Sequence, residues 1–279
     1  MRRKPIRSDL HIHTDRSDGA LAPKDTIRRA IAGGLDLIAL TDHDSANGLD
    51  EAVSAAEDTG LRLVPGVEMT ASLGSHEIHL LAYFSRFADV REGALAAFLE
   101  QVREMRKERI RAGIRALRLR GLLISESEVL DESDRSYTRL HLAQALVAAG
   151  YAGSLNEAFR RYLDRKFGSV PQLPVPAEEV IERVHAHGGL VIWAHPHPAD
   201  VERFLDRLIT AGLDGLETHN FRQPTHSAML AETARRKGLL STGGSDWHGA
   251  ANERPLGSNA IGDEMTLPFL EALESRGMQ

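Results

Sequence analysis

The sequence contains no cysteine, which excludes both disulfide bonds and thiolate metal ligands. It has no apolar run close to the roughly 20 residues that span a membrane. Its basic first residues are not followed by the apolar segment of a secretory signal. The net charge of -6 argues against a broad nucleic-acid-binding surface. These absences predict a cytoplasmic protein with no membrane association and no evident obligate protein partner.

Histidine, in contrast, is abundant, with 13 copies among 279 residues. Imidazole is a common metal ligand and the usual acid–base group near neutral pH. The length and the 42% hydrophobic content are sufficient for one large domain, or for one domain with an insertion. The positions of the histidines relative to the predicted strands therefore decide whether they indicate a metal site.

Strand-like and helix-like segments alternate along most of the chain. The predicted strands cover residues 6–12, 35–40, 61–64, 76–83, 189–194, 215–217 and 239–242. The predicted helices of this part cover residues 23–32, 49–59, 177–187, 201–211, 225–237 and 267–275. Such alternation implies an α/β fold with a parallel sheet. About seven units without a glycine-rich phosphate loop after the first strand favour a barrel over a doubly wound sheet.

The alternation stops between residues 86 and 171. Apolar residues recur there at helical spacing from 89 to 120, and further helices are predicted at 137–149 and 155–163. We therefore divide the chain into a first part of the barrel (1–85), a helical insertion that caps it (86–171) and a second part of the barrel (172–279). The basic residues between Arg103 and Arg120 have two interpretations, a solvated helix face or a positively charged cap.

Potential metal ligands recur where predicted strands end. In a parallel α/β barrel the carboxyl ends of all strands open on one face, so residues far apart in sequence converge there. His11 and His13 share one face of an extended strand because side chains alternate. Asp18 is either a further ligand or a cap for the turn at Gly19. The other candidates are Asp42, His43, Glu68, His79, His195, Asp246 and His248.

The chemistry of this set predicts a transition-metal site. Apart from Asp42, the candidates are six imidazoles and three carboxylates without sulfur. Such a set suits Zn²⁺, Mn²⁺ or Fe²⁺ better than Mg²⁺ or Ca²⁺ alone. Gly243 and Gly244 would allow a tight turn before Asp246. His185 and His187 lie near a predicted helix end, where imidazolium interacts favourably with the helix dipole, and are interpreted as structural.

The candidate ligands lie in five short motifs along the chain. They are Asp9-Leu-His-Ile-His-Thr14 with Ser17-Asp-Gly19, Leu40-Thr-Asp-His-Asp44, Pro65-Gly-Val-Glu68, Ala194-His-Pro196 and Gly244-Ser-Asp-Trp-His-Gly249. These motifs resemble those of the polymerase and histidinol phosphatase (PHP) superfamily, in the right order and across nearly the whole chain. The resemblance implies a distorted seven-stranded (β/α) barrel, TIM-like and with the helical cap inserted, that holds two or three divalent metal ions.

The resemblance also assigns ligands to each metal. It implies that His11, His13, Glu68 and Asp246 hold the first metal. It implies that Asp18, His43 and His248 hold the second, although many relatives have histidine where Asp18 stands. It implies that His79, His195 and a shared Glu68 hold the third.

Within the superfamily, Thr138-Arg-Leu-His141 resembles the Gly-Arg-Pro-His segment of one branch. That branch comprises nucleoside 3′,5′-bisphosphate phosphatases and 5′→3′ oligoribonucleotidases of the RNase AM type. The resemblance implies that Arg139 and His141 bind a substrate phosphate. Leu140 replaces the usual proline and Thr138 the usual glycine, and His197 has no assigned role.

These observations predict a phosphoesterase in which a metal-bridging hydroxide attacks phosphorus. Asp44 or His141 would protonate the leaving group. The expected substrates are nucleoside 3′,5′-bisphosphates or short 5′-phosphorylated oligonucleotides. Two alternatives stay open. One is another PHP phosphatase, acting on histidinol phosphate or a sugar cyclic phosphate. The other is a metal-free accessory module like the PHP domains fused to DNA polymerases.

Overall fold

Seven strands form one sheet in sequential order, as the computed structural model shows for residues 4–131, 133–220, 224–251 and 253–278. The outer strands β1 and β7 approach each other, and Ile12 forms an isolated bridge with Trp247 just beyond β7. The sheet is therefore a nearly closed barrel, as the sequence predicts. Its strands are β1 (Ser8–Ile12), β2 (Leu37–Leu40), β3 (Arg62–Leu73), β4 (His76–Tyr83), β5 (Leu190–Trp193), β6 (Gly215–Asn220) and β7 (Leu240–Gly244).

Ten α-helices occur in the described residues, and most connect consecutive strands. The helix predicted at 23–32 begins and ends where expected, because Pro23 opens it and Gly33 closes it. The barrel helices are α1 (Pro23–Ala32), α2 (Leu49–Ala56), α7 (Ala177–Ala186), α8 (Pro198–Ala211), α9 (Ser227–Lys237) and α10 (Asp263–Gly277). The helices between β4 and β5 are α3 (Ala88–Arg91), α4 (Gly93–Leu119), α5 (Arg139–Ala148) and α6 (Leu155–Ala158).

The expectation of a wholly parallel sheet is wrong for β4, which runs antiparallel to both β3 and β5. β3 does not end at Val64 as predicted but continues through Pro65 and Gly66 to Leu73. A two-residue turn then reverses the chain, with Gly74 in the left-handed region at φ 61°. β3 and β4 therefore form a hairpin, and the parallel arrangement resumes between β5 and β6.

Alternating side chains along the strands belong to two apolar clusters. In β2, Leu37 and Ala39 face an inner cluster, while Ile38 and Leu40 face an outer one against the helices. α10 completes the inner cluster, and its Phe269 packs edge-on against Tyr83 with the ring centroids 5.0 Å apart. Apolar side chains thus fill the interior of the barrel on one side of the polar cluster described below.

The segment between β4 and β5 has a further apolar cluster of its own. Ile110 and Ile114 of α4 pack there with Leu142 and Leu146 of α5. The first half of α4 instead joins the outer cluster of the barrel through residues such as Phe98. Because α4 contributes to both cores, the domain boundaries at residues 86 and 171 stay a prediction. None of the helices described here could span a membrane.

Candidate metal centre

The nine predicted ligands come together in one polar cluster inside the barrel. β1 supplies His11 and His13, which are both fully buried, while Ile12 between them points into the outer apolar cluster. Strand β3 supplies Glu68. The structure brings the nitrogen and oxygen atoms of these residues within 4.8 Å of one another in four overlapping groups. These groups are His13–Asp18–His43–His248, His11–Glu68–His195, His11–His13–Asp246 and His43–Glu68–His79.

Glu68 is the residue on which these groups centre. Its Oε1 lies 3.0 Å from a ring nitrogen of both His79 and His195. Its Oε2 lies 3.1 Å from His43 Nδ1, and 3.2 and 3.3 Å from the Nε2 atoms of His13 and His11. One carboxylate therefore contacts five imidazoles, which is the position expected of a ligand shared between metals.

Two further carboxylates flank this centre. Asp246 Oδ1 lies 3.2 Å from His13 Nε2 and 3.5 Å from His11 Nε2. On the other side, Asp18 Oδ1 lies 3.3 Å from His248 Nε2, and Oδ2 lies 3.7 Å from His43 Nε2. Asp18 thus lies among imidazoles and does not act only as a cap of the turn at Gly19.

Hydrogen bonds within the cluster do not satisfy these atoms. Glu68 Oε2 is buried and has no hydrogen bond of acceptable geometry, despite its three imidazole neighbours. The Nε2 atoms of His11 and His13 face each other at 3.2 Å. Ligands bonded to one metal at about 2.0–2.2 Å lie about 3 Å apart, so these spacings are typical of ligand pairs. The residues therefore fit divalent cations with nitrogen and oxygen ligands.

The charges of the cluster also favour cations. Burial lowers the pKa of His13, but hydrogen bonds to Asp246 and Glu68 outweigh it and raise the pKa to about 10. Burial opposes ionisation of Glu68 as well, yet His43 and the other imidazoles hold its pKa well below the usual range. Glu68 therefore stays charged, and metal binding at His13 must displace a proton from its imidazole.

Glu217 of β6 belongs to the centre, although the sequence analysis did not select it. Its Oε1 accepts a hydrogen bond from His11 Nδ1 at 2.9 Å. Its Oε2 accepts from the backbone nitrogen of His195 at 2.7 Å and from Asn220 Nδ2 at 2.9 Å. The bond to Nδ1 leaves the lone pair of His11 Nε2 directed at the cluster, as in the carboxylate–histidine–metal arrangement.

Asp42, which was a candidate ligand at the end of the second strand, has a different role. It accepts hydrogen bonds from the backbone nitrogen and hydroxyl of Thr14, at 2.7 and 2.6 Å, and from Ser17 Oγ at 2.6 Å. Asp42 therefore holds the loop that presents Asp18, and it is in none of the ligand groups.

The backbone around the centre is constrained. Asp44, His195 and Asp246 adopt positive φ angles of 46°, 32° and 52°, which residues other than glycine rarely adopt.

Gly244 is not required for the predicted tight turn, since it lies in β7 and is not among the glycines with positive φ. A Cβ atom at Gly244 would lie 2.4 Å from His11 Cβ. The close approach of β7 to β1 requires glycine there.

Asp44 is buried beside the centre, and both of its carboxylate oxygens are engaged. Oδ1 accepts a hydrogen bond from Thr70 N at 2.8 Å, and Oδ2 accepts from Arg106 Nε at 2.6 Å. Arg106 comes from α4 in the insertion, so this ion pair joins the insertion to the barrel.

The basic residues of α4 divide into two sets. Arg103, Arg106 and Arg109 are buried and follow a three-residue spacing, and each pairs with a carboxylate. Their partners are Asp134, Asp44 and Glu77. Of the two interpretations, a solvated helix face does not describe this side of the helix, while Arg111 on the same helix is one-third exposed. The three-residue spacing, which continues the apolar stripe of α4, is the sequence signal for the buried set.

The insertion places Arg139 and His141 at the start of α5, next to the ligand cluster. Thr138 caps this helix, and its backbone nitrogen donates to His141 Nδ1 at 3.0 Å. The Arg139 guanidinium lies over the ring of Phe159, 5.9 Å from its centroid, in a π-helical turn at Phe159–Leu163. One pocket is lined by ligand candidates and by this segment together. Its lining includes Asp18, His43, His79, Arg106, Thr138, Arg139 and Phe159.

The remaining histidines of interest have structural partners. His185 Nε2 lies 2.8 Å from Asp214 Oδ2, and His187 Nδ1 donates to Arg183 O at 2.8 Å. His197 caps the N-terminus of α8 by accepting from Ala199 N. None of the three is in a ligand group formed by the described residues.

Comparison with known proteins identifies relatives along nearly the whole chain. The PHP domain profile matches residues 9–167. A 3′,5′-nucleoside bisphosphate phosphatase of Chromobacterium violaceum is 35% identical over 282 residues, with 96% of each chain covered. A 5′-3′ exoribonuclease of Haemophilus influenzae is 31% identical over 272 residues, which cover 94% of this chain and 97% of the relative.

The fold is shared with solved structures as well. A protein from Bifidobacterium adolescentis, provisionally described as a metal-dependent phosphoesterase, superposes with a TM-score of 0.82 at 33% sequence identity. The match covers 95% of this chain and 96% of that one.

Proposed function

Because this chain belongs to the PHP domain family, we propose that it is a metal-dependent phosphoesterase that hydrolyses nucleotides carrying more than one phosphate. As a hydrolase of phosphoester bonds, it would act on nucleoside 3′,5′-bisphosphates, on short 5′-phosphorylated oligonucleotides, or on both. The names of the two relatives from Chromobacterium violaceum and Haemophilus influenzae support these two substrate classes.

The observation that carries the proposal is the pocket shared by the ligand cluster and the start of α5. His43 and His79 lie on its metal side, and Arg139 lies on its insertion side. A substrate with two phosphates can place one on each side. A substrate with one phosphate can occupy only one of them.

The first two ligand sets follow groups in the cluster: His11, His13 and Asp246 would hold one metal, and Asp18, His43 and His248 a second. The third set follows the family resemblance. His79 and His195 would hold that metal together with the shared Glu68, whose Oε1 both histidines contact. When bound, two or three ions of Mn, Fe or Zn would lower the pKa of water and neutralise charge on the phosphoryl oxygens. This set uses every candidate ligand from the sequence except Asp42.

Arg139 and His141 would hold the phosphate that is not cleaved. The planar guanidinium of Arg139 can donate two parallel hydrogen bonds to a phosphate. Burial lowers the pKa of His141, so the side chain is neutral near pH 7. Because Nδ1 accepts from Thr138 N, the proton of neutral His141 is on Nε2, from which it can donate to a phosphate oxygen.

The leaving group needs a proton, and His141 is the better candidate of the two residues predicted for this role. Both oxygens of Asp44 are already hydrogen-bonded, and one of them pairs with the permanent charge of Arg106. His141, in contrast, keeps a proton on Nε2 because Nδ1 accepts from Thr138 N. Arg139 alone can hold the second phosphate while that proton goes to the leaving group. We therefore assign the leaving-group proton to His141 Nε2 and a structural role to Asp44.

A phosphate-release screen with added Mn²⁺ tests the proposal. The screen compares a nucleoside 3′,5′-bisphosphate, a 5′-phosphorylated trinucleotide, a nucleoside monophosphate, a sugar cyclic phosphate and histidinol phosphate. We expect the highest kcat/KM for the first two. Arg139→Ala should lower kcat/KM on the bisphosphate by about tenfold or more and spare p-nitrophenyl phosphate, since remote binding energy orients the reacting group. Preference for a monophosphate or a cyclic phosphate would overturn the substrate assignment.

A further inference from the structure

Arg106 lies between the ligand cluster and the phosphate-binding segment, and its guanidinium bonds to three separate parts of the chain. Nε donates to Asp44 Oδ2 at 2.6 Å, in the loop after β2. Nη2 donates to Thr70 Oγ1 in β3. Nη1 donates to Tyr137 O at 3.1 Å, in the insertion. Only 3% of the residue is exposed, so these bonds form away from solvent.

On the barrel side, the partners of Arg106 are tied directly to the metal ligands. Asp44 follows His43 in the chain, and its backbone nitrogen donates to Glu68 O at 2.9 Å. Its Oδ1 accepts from Thr70 N, two residues beyond Glu68. Asp44 also has a strained backbone with φ 46°, a conformation that persists only where surrounding contacts fix it. Arg106 is one of those contacts.

On the insertion side, Arg106 fixes the residue that precedes the phosphate-binding segment. Tyr137 O accepts its hydrogen bond, and Thr138 then caps α5 and donates to His141 Nδ1. Arg139 is the first residue of that helix. A shift of Tyr137 would therefore move Arg139 and His141 together relative to Glu68.

The chemistry of the contact requires arginine. A guanidinium has five donors in a fixed plane, whereas an ammonium is a single compact charge. Lysine at position 106 could pair with Asp44, but it could not also reach Thr70 and Tyr137 in the same geometry. Ion pairs buried in this way contribute little net stability, and their best-supported role is to specify one arrangement of the parts that they join.

We propose that Arg106 is a positioning residue that sets the distance between the metal ligands and the phosphate-binding pair Arg139 and His141. The inference rests on the proposed function, because it requires that the insertion binds one phosphate of the substrate. Arg106 also lines the pocket, but its guanidinium donates to Asp44, Thr70 and Tyr137, and its proposed role lies in these contacts and not in a bond to phosphate.

A double-mutant cycle between positions 106 and 139 tests this role. Arg106→Lys, Arg139→Ala and the double variant are compared on a nucleoside 3′,5′-bisphosphate and on p-nitrophenyl phosphate, with Mn²⁺ present. Metal content and backbone hydrogen exchange of residues 137–142 are measured on each variant. Arg111→Lys is the matched control, because Arg111 lies on the same helix, is one-third exposed and pairs only with Glu108 and Glu126 among the described residues.

We expect Arg106→Lys to lower kcat/KM on the bisphosphate by about tenfold while metal content is retained. This loss should be absent in the Arg139→Ala background. Arg106 is proposed to act by positioning Arg139, so its replacement has no further effect once the Arg139 side chain is removed. Hydrogen exchange across residues 137–142 should quicken in Arg106→Lys and stay unchanged in Arg111→Lys.

Failure of the role proposed for Arg106 and failure of the proposed function give different results. If Arg139→Ala reduces bisphosphate hydrolysis but the effect of Arg106→Lys is undiminished in that background, Arg106 is not a positioning residue for this pair. If Arg139→Ala has no effect on the bisphosphate, the proposed function fails, and the role of Arg106 fails with it. If Arg106→Lys does not fold, Arg106→Gln combined with Asp44→Asn removes both charges and gives the same comparison. Full bisphosphate activity in that combined variant would overturn the inference.

Discussion

Glu217 Oε1 and His11 Nδ1 form a hydrogen bond of 2.9 Å that is fully buried beneath the candidate metal centre. This bond fixes the ring orientation of His11 and directs Nε2 at Asp246 and Glu68. Partners of this kind typically change metal affinity by about 10- to 100-fold when they are removed. We expect Glu217→Gln to weaken metal binding by an amount in that range, because the charge that holds the Nδ1 proton is lost.

Titration of the metal-free protein with Mn²⁺ or Zn²⁺ against a chelating dye measures this effect. Glu232→Gln serves as the control, since Glu232 is exposed on α9 and pairs with Arg235. Equal affinities in the wild type and in Glu217→Gln would show that the bond does not tune the site.

The contact of Glu217 with His11 could not be predicted from the sequence. The motifs around His11, His43, Glu68 and Asp246 are local in sequence, so spacing and strand position predict that they converge. Glu217 is one acidic residue in the short strand β6, and its partner His11 is 206 residues away in the chain. No local pattern indicates that contact. A carboxylate in a strand that is otherwise buried is nonetheless a signal, because burying a charge without a partner is costly.

The barrel and the family were predicted correctly, whereas the direction of β4 was not. Pro65 and Gly66 usually interrupt strands, so the predicted third strand stopped at Val64. The true strand continues to Leu73, which leaves only Gly74 and Ser75 before β4. A connection of two residues with glycine is typical of an antiparallel hairpin. The hairpin was missed because the end of β3 was placed nine residues too early.

Glu68 contacts five imidazoles, so its replacement should affect more than one metal. We expect Glu68→Gln to bind fewer metal ions per chain and to lose phosphoesterase activity by about 100-fold or more, since clustered metals provide both water activation and charge neutralisation. Treatment of the wild type with a chelator should abolish activity, and Mn²⁺ should restore it.

Elemental analysis and phosphate release measure the two effects of Glu68→Gln. Glu178→Gln is the control, because Glu178 is partly exposed at the start of α7 and pairs with Arg207. A Glu68→Gln protein with full metal content and full activity would contradict a multinuclear centre.

Gly244→Ala should damage the metal centre through sterics alone. The added Cβ would lie 2.4 Å from His11 Cβ and 2.5 Å from His11 N, and neither is the end of a flexible side chain. Either β7 or β1 must move, and overpacking of this kind typically costs about 1–3 kcal/mol. We expect the free energy of unfolding to fall by about 2 kcal/mol or more, together with a loss of metal affinity.

Urea unfolding and metal titration test the effect of Gly244→Ala. Gly153→Ala is the matched control, because its Cβ would meet only the carboxylate end of the flexible Glu157 side chain, at 3.3 Å. If Gly244→Ala is as stable as Gly153→Ala, the approach of β7 to β1 is looser than the structure indicates.

The pKa of His141 gives a prediction about pH. Burial holds this pKa below the ordinary value of 6.5, so the folded protein disfavours the protonated imidazole. Between the folded and unfolded pKa values, the unfolded chain binds more protons at this position than the folded chain does. The contribution of His141 to stability is therefore complete above about pH 7 and is lost as the pH falls through 6.5 and below. Replacement by a side chain that does not titrate removes this part of the pH dependence.

We expect His141→Leu to lower the free energy of unfolding at pH 7.5, because leucine has no acceptor and Thr138 N then loses its capping bond. The difference between wild type and variant should shrink when the pH is lowered to 5.5, because only the wild type has an imidazole here that must stay neutral. Urea unfolding of the metal-free proteins at both values measures the difference and keeps metal binding out of the comparison. A difference that is unchanged or larger at pH 5.5 would mean that His141 is protonated as readily in the fold as in the unfolded chain. It would then bind phosphate as a cation, not as a neutral donor.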